Sequence, residues 1–343
     1  LPLRLGIAGC GWVAGYVALF ARLNRRIRLL ACCDRTPSQA EEFASRRRIP
    51  RAYAEFEAML QREALDAVYL AVPHDLHLEM ARAAIEASHH VLVEKPIART
   101  LAAGQEIARL AREGGVRVGV NYQYRYDPGC YALALAARRG DLGRLYYGRC
   151  NLPWDREVDY FQQGPWRSQL ARAGGGTLIT QGSHILDVLL WALGGQPHAA
   201  QGFTARQKFT QVEVEDLALG TVEMEDGALV QISSSMIARP EQGVTIELYG
   251  QRGTAVYRER PLPHVRFRGT RVRRARPPVW GFHPLQRSLE AFRAWVADDR
   301  PYLTPAEEAL PVLAAIEAIY RSAQSGQRER IEFADRRQDQ GTA

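Results

Sequence analysis

A short apolar run that stops at a glycine turn and resumes as a helix leaves a chain few folds to choose from, and residues 3–23 have that form. Leu3-Arg4-Leu5-Gly6-Ile7-Ala8 reads as a short buried strand, Gly9-Cys10-Gly11-Trp12-Val13-Ala14 follows directly, and a helical pattern continues through Leu23. In a G-x-G-x-x-G/A turn the first glycine permits the tight bend. The second lets backbone approach a pyrophosphate at the helix N-terminus, and the third position needs a small residue for helix–strand packing. Ala14 supplies that last requirement, so Gly9, Cys10, Gly11, Trp12 and Val13 form a candidate dinucleotide cradle. A second strand, Ile27 to Cys33, ends in Asp34, about twenty residues after the glycines, where a carboxylate takes both ribose hydroxyls and favours NAD. Arg35 follows and would accommodate a 2′-phosphate, which leaves NADP open.

One glycine motif is weak evidence, but the pattern around it repeats. Strands at 67–72, 90–93 and 116–120 alternate with helical stretches at 37–47, 56–62, 76–87 and 102–112, the signature of a doubly wound parallel sheet. The strands end in Asp34, Pro73-His74, Glu94-Lys95-Pro96 and Asn121-Tyr122-Gln123, which such a sheet gathers round one crevice.

Lys95 stands out by rarity. The chain holds 45 Lys plus Arg, of which only Lys95 and Lys208 are lysines. Burial drives an ammonium toward neutrality, whereas a guanidinium keeps its charge at any working pH, so position 95 is a candidate for proton or alkoxide chemistry. His90-Val91-Leu92-Val93 before it and Pro96 after it place it at the carboxyl end of a buried strand. A surface Lys beside a Glu is the bland alternative for such a pair taken alone.

The second half reads as strands at 199–207, 212–225, 228–237, 244–250 and 254–259, with Asp226-Gly227 and Gln251-Arg252-Gly253 as hairpin turns. Between the halves, three glycines (174–176) precede an apolar helical stretch from Thr177 to Trp191. Thr180, His184, Asp187 and Trp191 fall at i, i+4, i+7 and i+11 on one of its faces. A helix apolar nearly all round is buried, so its polar stripe needs a cavity or partners. By spacing alone His184 is more often a hydrogen-bonded core histidine than a catalyst, and Asp187 would either orient its ring or cap a nearby backbone group.

At 343 residues the chain exceeds one comfortable core, and 46% hydrophobic with 24% charged residues is ordinary for a soluble protein of two domains. No run of 18 apolar residues and no signal-peptide pattern occur, so no membrane association and a cytoplasmic location are expected. Five cysteines without a C-x-x-C pair imply free thiols and no structural metal. The net charge of +7 is spread along the chain, and its one dense run, Arg266 to Arg276, reads as a solvated loop or hairpin. A docking patch for an acidic partner is the alternative there. Nucleic-acid binding is not expected, since no recognisable module or interleaved aromatics accompany the run.

Taken together, these residues resemble the Gfo/Idh/MocA (glucose-fructose oxidoreductase/inositol dehydrogenase) family of NAD(P)-dependent oxidoreductases. The resemblance rests on Gly9-Cys10-Gly11, Ala71-Val72-Pro73 with His77, Glu94-Lys95-Pro96, Asn121-Tyr122-Gln123-Tyr124-Arg125 leading into Asp127-Pro128, Gly174-Gly175-Gly176, His184-Ile185-Leu186-Asp187 and His283-Pro284. It spans about residues 3 to 333 in order, which makes it far more specific than any one motif. It implies a Rossmann domain over 1–122 and an α+β domain with an open, largely antiparallel sheet over 123–343, binding substrate and forming a homodimer or homotetramer. It further implies hydride transfer between nicotinamide and a secondary alcohol or ketone of a carbohydrate. His184 would be the general acid/base and Lys95 the alkoxide-stabilising catalyst. Val72, Pro73, His77, Glu94, Lys95 and Gln123 join the cofactor set, and Tyr124, Arg125, Trp166, Arg167, Thr180 and His184 the substrate set. Thr180 departs from the family pattern, in which an aspartate often stands four residues before the histidine. Thr180-Gln181 resembles members acting at C3 of sugars, including nucleotide-linked ones. A non-catalytic dinucleotide-dependent sensor on the same fold is the alternative reading, and Thr180 is what favours it.

Overall fold

A computed structural model describes residues 1–333. By packing the chain falls into two compact units, and neither is continuous in sequence. The first combines Leu1–Ala132, Asp159–Gly176 and Arg274–Leu310; the second combines Leu133–Val158, Thr177–Arg273 and residues 311–333.

The first unit is a six-stranded parallel sheet in the order β3-β2-β1-β4-β5-β6, made of Leu3–Ala8 (β1), Ile27–Cys33 (β2), Arg51–Tyr53 (β3), Ala67–Leu70 (β4), His90–Val93 (β5) and Val118–Val120 (β6). Its helices are Trp12–Leu23 (α1), Pro37–Arg47 (α2), Phe56–Arg62 (α3), His77–Glu86 (α4) and Leu101–Glu113 (α5). Every residue of β4 is buried, as a parallel strand covered on both faces requires. The strand order reverses between β1 and β4, the switch point where such sheets bind ligands. The short β3 carries no sequence pattern of its own; pairing with Ala31 to Cys33 of β2 creates it.

Leu285, Leu289 and Phe292 of a late helix, Pro284–Asp298 (α10), are buried in one core with Ile7, Tyr126 and Tyr302, so apolar burial joins this segment to the first unit. Three further helices lie between the halves of the chain: Pro128–Arg138 (α6), Asp159–Gln162 (α7) and Leu170–Ala173 (α8).

The second unit is an eight-stranded sheet in the order β13-β12-β11-β7-β10-β9-β8-β14. Its strands are Leu145–Pro153 (β7), Pro197–Ala205 (β8), Leu217–Met224 (β9), Leu229–Ser235 (β10), Thr245–Gly250 (β11), Thr254–Arg258 (β12), His264–Arg268 (β13) and Glu329–Arg330 (β14). Only β7 and β10 pair in parallel. Burial alternates along β9 and β10, so one face is packed and the other solvated. Ser183–Leu193 (α9) and Leu310–Ser325 (α11) cover the inner face, Leu189 reaching Gly148 and Ile319 reaching Gly202 and Gly220.

Residues 212–216, expected within a strand, instead form a loop that ends in an anion nest. The buried Asp216 carboxylate accepts backbone N–H bonds from Gln207, Lys208 and Phe209 at 2.8–3.0 Å. Of the arginine run, Arg266 and Arg268 lie on edge strand β13, and the residues after it are irregular and largely exposed. All five cysteines are free and buried, and burial pushes the Cys33 thiol up to about 12. Among the described residues no helix is long and apolar enough to cross a membrane.

Candidate active site

The glycine turn fits a dinucleotide for steric reasons that can be stated atom by atom. Gly9 has φ +86°, and a Cβ there would lie 2.3 Å from the carbonyl oxygen of Ala71 after β4, so only glycine closes the β1–β4 switch point. A Cβ on Gly11 would meet nothing within 4 Å, which leaves open space over the start of α1. The Asp34 carboxylate caps this turn from β2, accepting the Cys10 N–H at 3.0 Å, the Thr36 N–H at 3.0 Å and Gln39 Nε2 at 3.3 Å. Trp12 is exposed, Val13 half-buried and Arg35 exposed. These residues would hold the adenosine and pyrophosphate of NAD at backbone N–H groups and a carboxylate, as their chemistry requires.

At the end of β5 the Lys95 ammonium is pulled down to about 8, chiefly because burial penalises its charge; the Glu94 carboxylate opposes that drop and the Arg167 charge adds to it. The backbone N–H of Lys95 donates to Glu94 Oε2 at 3.3 Å. Glu94 Oε1 accepts from the Tyr69 hydroxyl and, at 2.7 Å, from Asn121 Nδ2. The chain of bonds continues inward, Ser288 Oγ donating to Asn121 Oδ1 at 2.7 Å and lying 2.9 Å from the Tyr302 hydroxyl, which in turn donates to the Val120 carbonyl at 3.1 Å. Tyr69, Asn121, Ser288 and Tyr302 thus fix the carboxylate beneath Lys95, a role no local pattern announces because they come from β4, the end of β6, α10 and the chain after it. Burial, ahead of the neighbouring Glu94, keeps the Tyr69 phenol protonated.

His77 has a structural position. Its ring is fully buried, with Nδ1 2.9 Å from the Pro96 carbonyl and Nε2 3.0 Å from that of Val72, so it ties the loops after β4 and β5 together. Burial lowers its pKa, and a neutral imidazole donates to one of those carbonyls at a time. Val72 and Pro73 are half-buried in the loop it clamps. Arg125 is likewise engaged inside the unit, bonding the carbonyls of Leu303 and Glu308 at 2.8 and 3.2 Å and the Glu308 carboxylate at 3.4 Å. Tyr124 and Gln123 are half-buried beside it, and Gln123 Oε1 has no hydrogen-bond partner among the described residues. Trp166 and Arg167 belong to the same unit as Lys95, on the segment 159–176.

His74, which sequence reasoning left out of the site, proves central to that segment. It is buried, its Nδ1 is 2.7 Å from the Ala173 carbonyl, and its ring meets Trp166 edge-on at 4.7 Å. Burial, then the neighbouring His77, drives its pKa well below the ordinary histidine value.

Thr180, His184, Asp187 and Trp191 all lie in the second unit, on a segment that is not α-helical throughout. Leu178–Gly182 winds as a π turn, and the α-helix proper starts at Ser183. The whole stretch is buried, as its apolar character requires. The turn is held from outside: Glu215 Oε1 accepts the Leu178 N–H and the Tyr320 hydroxyl at 2.9 Å each, and Tyr320 takes the Ile179 N–H at 3.3 Å. Gln181 Oε1 and Ser183 Oγ are buried without a hydrogen-bond partner among the described residues. Among the described residues no three His, Cys, Asp or Glu are grouped to hold a metal ion.

Comparison with known proteins agrees with this geometry. Residues 3–122 match an oxidoreductase family with an NAD-binding Rossmann fold, and residues 132–256 match the GFO/IDH/MocA C-terminal domain. The 1,5-anhydro-D-fructose reductase of Ensifer adhaerens is 26% identical over 96% of this chain and 98% of its own. The D-glucoside 3-dehydrogenase of Escherichia coli K12 is 26% identical over 95% and 97%. The crystal structure of the WlbA dehydrogenase from Bordetella pertussis in complex with NADH and UDP-GlcNAcA has a TM-score of 0.85 at 26% identity, covering 97% of this chain and all of that one.

Proposed function

Because the chain belongs to the Gfo/Idh/MocA family of NAD-binding oxidoreductases, we propose that it moves a hydride between nicotinamide and a secondary alcohol or ketone of a carbohydrate, at C3 of a sugar or nucleotide-linked sugar. The observation that carries this reading is Lys95: a rare lysine at the end of β5, its pKa drawn to about 8, its neighbouring carboxylate fixed from below. In the oxidative direction His184 removes the hydroxyl proton as the carbinol carbon gives up its hydride, and the alcohol becomes a ketone. The Lys95 ammonium stabilises the developing alkoxide, each contribution being of the kind worth about 10²–10⁴-fold. The D-glucoside 3-dehydrogenase and the UDP-sugar complex among the relatives support the choice of carbon and of substrate class.

The dinucleotide cradle belongs to the first unit in this reading, and self-association to the second. The solvated face of the eight-stranded sheet carries exposed Phe203, Leu219, Leu229 and Tyr147, which favours a homodimer or homotetramer. The buried free thiols suit a reducing cytoplasm.

The test is a titration of NADH and NADPH together with rates on free and UDP-linked hexoses, followed at the absorbance of the reduced cofactor. Lys95→Ala and His184→Ala should each lower turnover about 10²-fold or more while NADH binding persists. Wild-type turnover in both variants would remove the assignment.

A further inference from the structure

The segment 159–176 holds a cation in surroundings built for it. The Arg167 guanidinium carbon lies 5.0 Å from the Tyr160 ring centroid and 5.1 Å from that of Trp166. A Cβ on Gly164 would fall 1.9 Å from Nη1 of Arg167, so the guanidinium rests on bare backbone there. Trp166 is braced by the buried ring of His74. Strand-end loops of the same unit pin the far end of the segment: His74 at the Ala173 carbonyl, Asp75 accepting from Arg172 Nε at 3.0 Å, and Arg99 Nη1 donating to the Ala171 carbonyl at 2.7 Å. A stacked, pre-positioned guanidinium loses little freedom when it takes a planar anion.

Among the described residues no carboxylate pairs with Arg167, which remains partly exposed. Its charge reaches both Lys95 and His74, lowering the pKa of each. Glu94, the carboxylate that acts on Lys95, is already held by Tyr69 and Asn121. Arg167 therefore presents a positive charge suited to an anion.

We propose that Arg167 determines specificity for an anionic sugar, its guanidinium taking the carboxylate or phosphate of a substrate whose reacting carbinol is presented to Lys95. The inference rests on the hydride-transfer reading above and narrows its substrate class.

Rates with NAD on methyl β-D-glucoside, methyl β-D-glucuronide and glucose 6-phosphate test it, with binding of the same three sugars to the NADH-loaded protein followed by tryptophan fluorescence. The wild type should favour one anionic sugar over the glucoside at least about 10-fold in kcat/KM. Arg167→Gln should raise KM for that sugar about 10–100-fold, the range of one charge-assisted contact, and by at least about 10-fold more than it raises the glucoside KM. Arg167→Lys should restore part of the preference, and an unchanged Tm in both variants separates recognition from folding. Preference for the glucuronide identifies a carboxylate, and for glucose 6-phosphate a phosphate. Equal kcat/KM on all three sugars, or a loss in Arg167→Gln that is equal on the glucoside and the anionic sugars, overturns the inference and leaves hydride transfer standing. Anionic binding that Arg167→Gln weakens, with no turnover of any sugar, removes hydride transfer and retains the anion site. No binding of any of the three overturns it.

Discussion

A lysine held at about 8 instead of its ordinary 10.5 costs the folded state something, and that cost has a measurable sign. Between those values the unfolded chain binds a proton that the native protein has released, so stability rises with pH across that window and the full penalty is present below about 8. Lys95→Met should therefore stabilise the protein at pH 7 by about 1–3 kcal/mol, seen in urea unfolding, while turnover falls about 10²–10⁴-fold. A less stable variant would show that Lys95 is held by favourable contacts and not against a desolvation penalty. The charged form does the work in the proposed mechanism, so kcat should decline above about pH 8. Lys95→Arg, which keeps its charge, should lose that alkaline limb whatever its residual rate.

Among the elements, the π turn before His184 depends on one missing side chain. A Cβ on Gly182 would lie 2.9 Å from Ser234 Oγ and 3.0 Å from its Cβ, and that hydroxyl is already engaged with Thr177. Gly182→Ala should destabilise by about 1–3 kcal/mol, the usual cost of overpacking a buried contact. The double variant with Ser234→Gly should recover much of the loss in thermal unfolding; strictly additive losses would mean the two residues are not the point of contact. The turn was not legible beforehand, because residues 177–191 carry a good α pattern and the π winding follows from Glu215 and Tyr320, 37 and 141 positions distant from the amides they take.

Over the whole molecule, burial lowers the pKa of His74, His77, His90 and His283. Below the ordinary histidine value of 6.5 the unfolded chain gains protons that the native one refuses, so stability should fall as pH drops through that value. A Tm flat between pH 7.5 and 5.5 would contradict this. The exposed sheet face gives a prediction at the same scale. Phe203 pairs with Leu219 across β8 and β9, Leu229 with Tyr147 across β10 and β7, and Tyr147 stacks on Tyr249 at 4.4 Å. Phe203→Glu with Leu229→Arg should yield monomers by light scattering if this face joins the subunits, with NADH binding retained.

The sequence by itself determined the parallel sheet, its glycine turn and the residues at its strand ends, because strand and helix periods and turn chemistry are local and survive without partners. It also singled out Lys95, by rarity and by the strand before it. Tertiary structure alone decided the rest. Strand β7 has no strand signature of its own and yet sits in the middle of the second sheet, since β10 and β11 supply its register from far along the chain. His77 and Arg125 turned inward because the Pro96 and Leu303 carbonyls and the Glu308 carboxylate, distant in sequence, were waiting for them. Helix α10, late in the chain, joins the first unit because its apolar face is buried with β1. In each case the deciding energy is a contact between residues far apart along the chain, which no local pattern encodes.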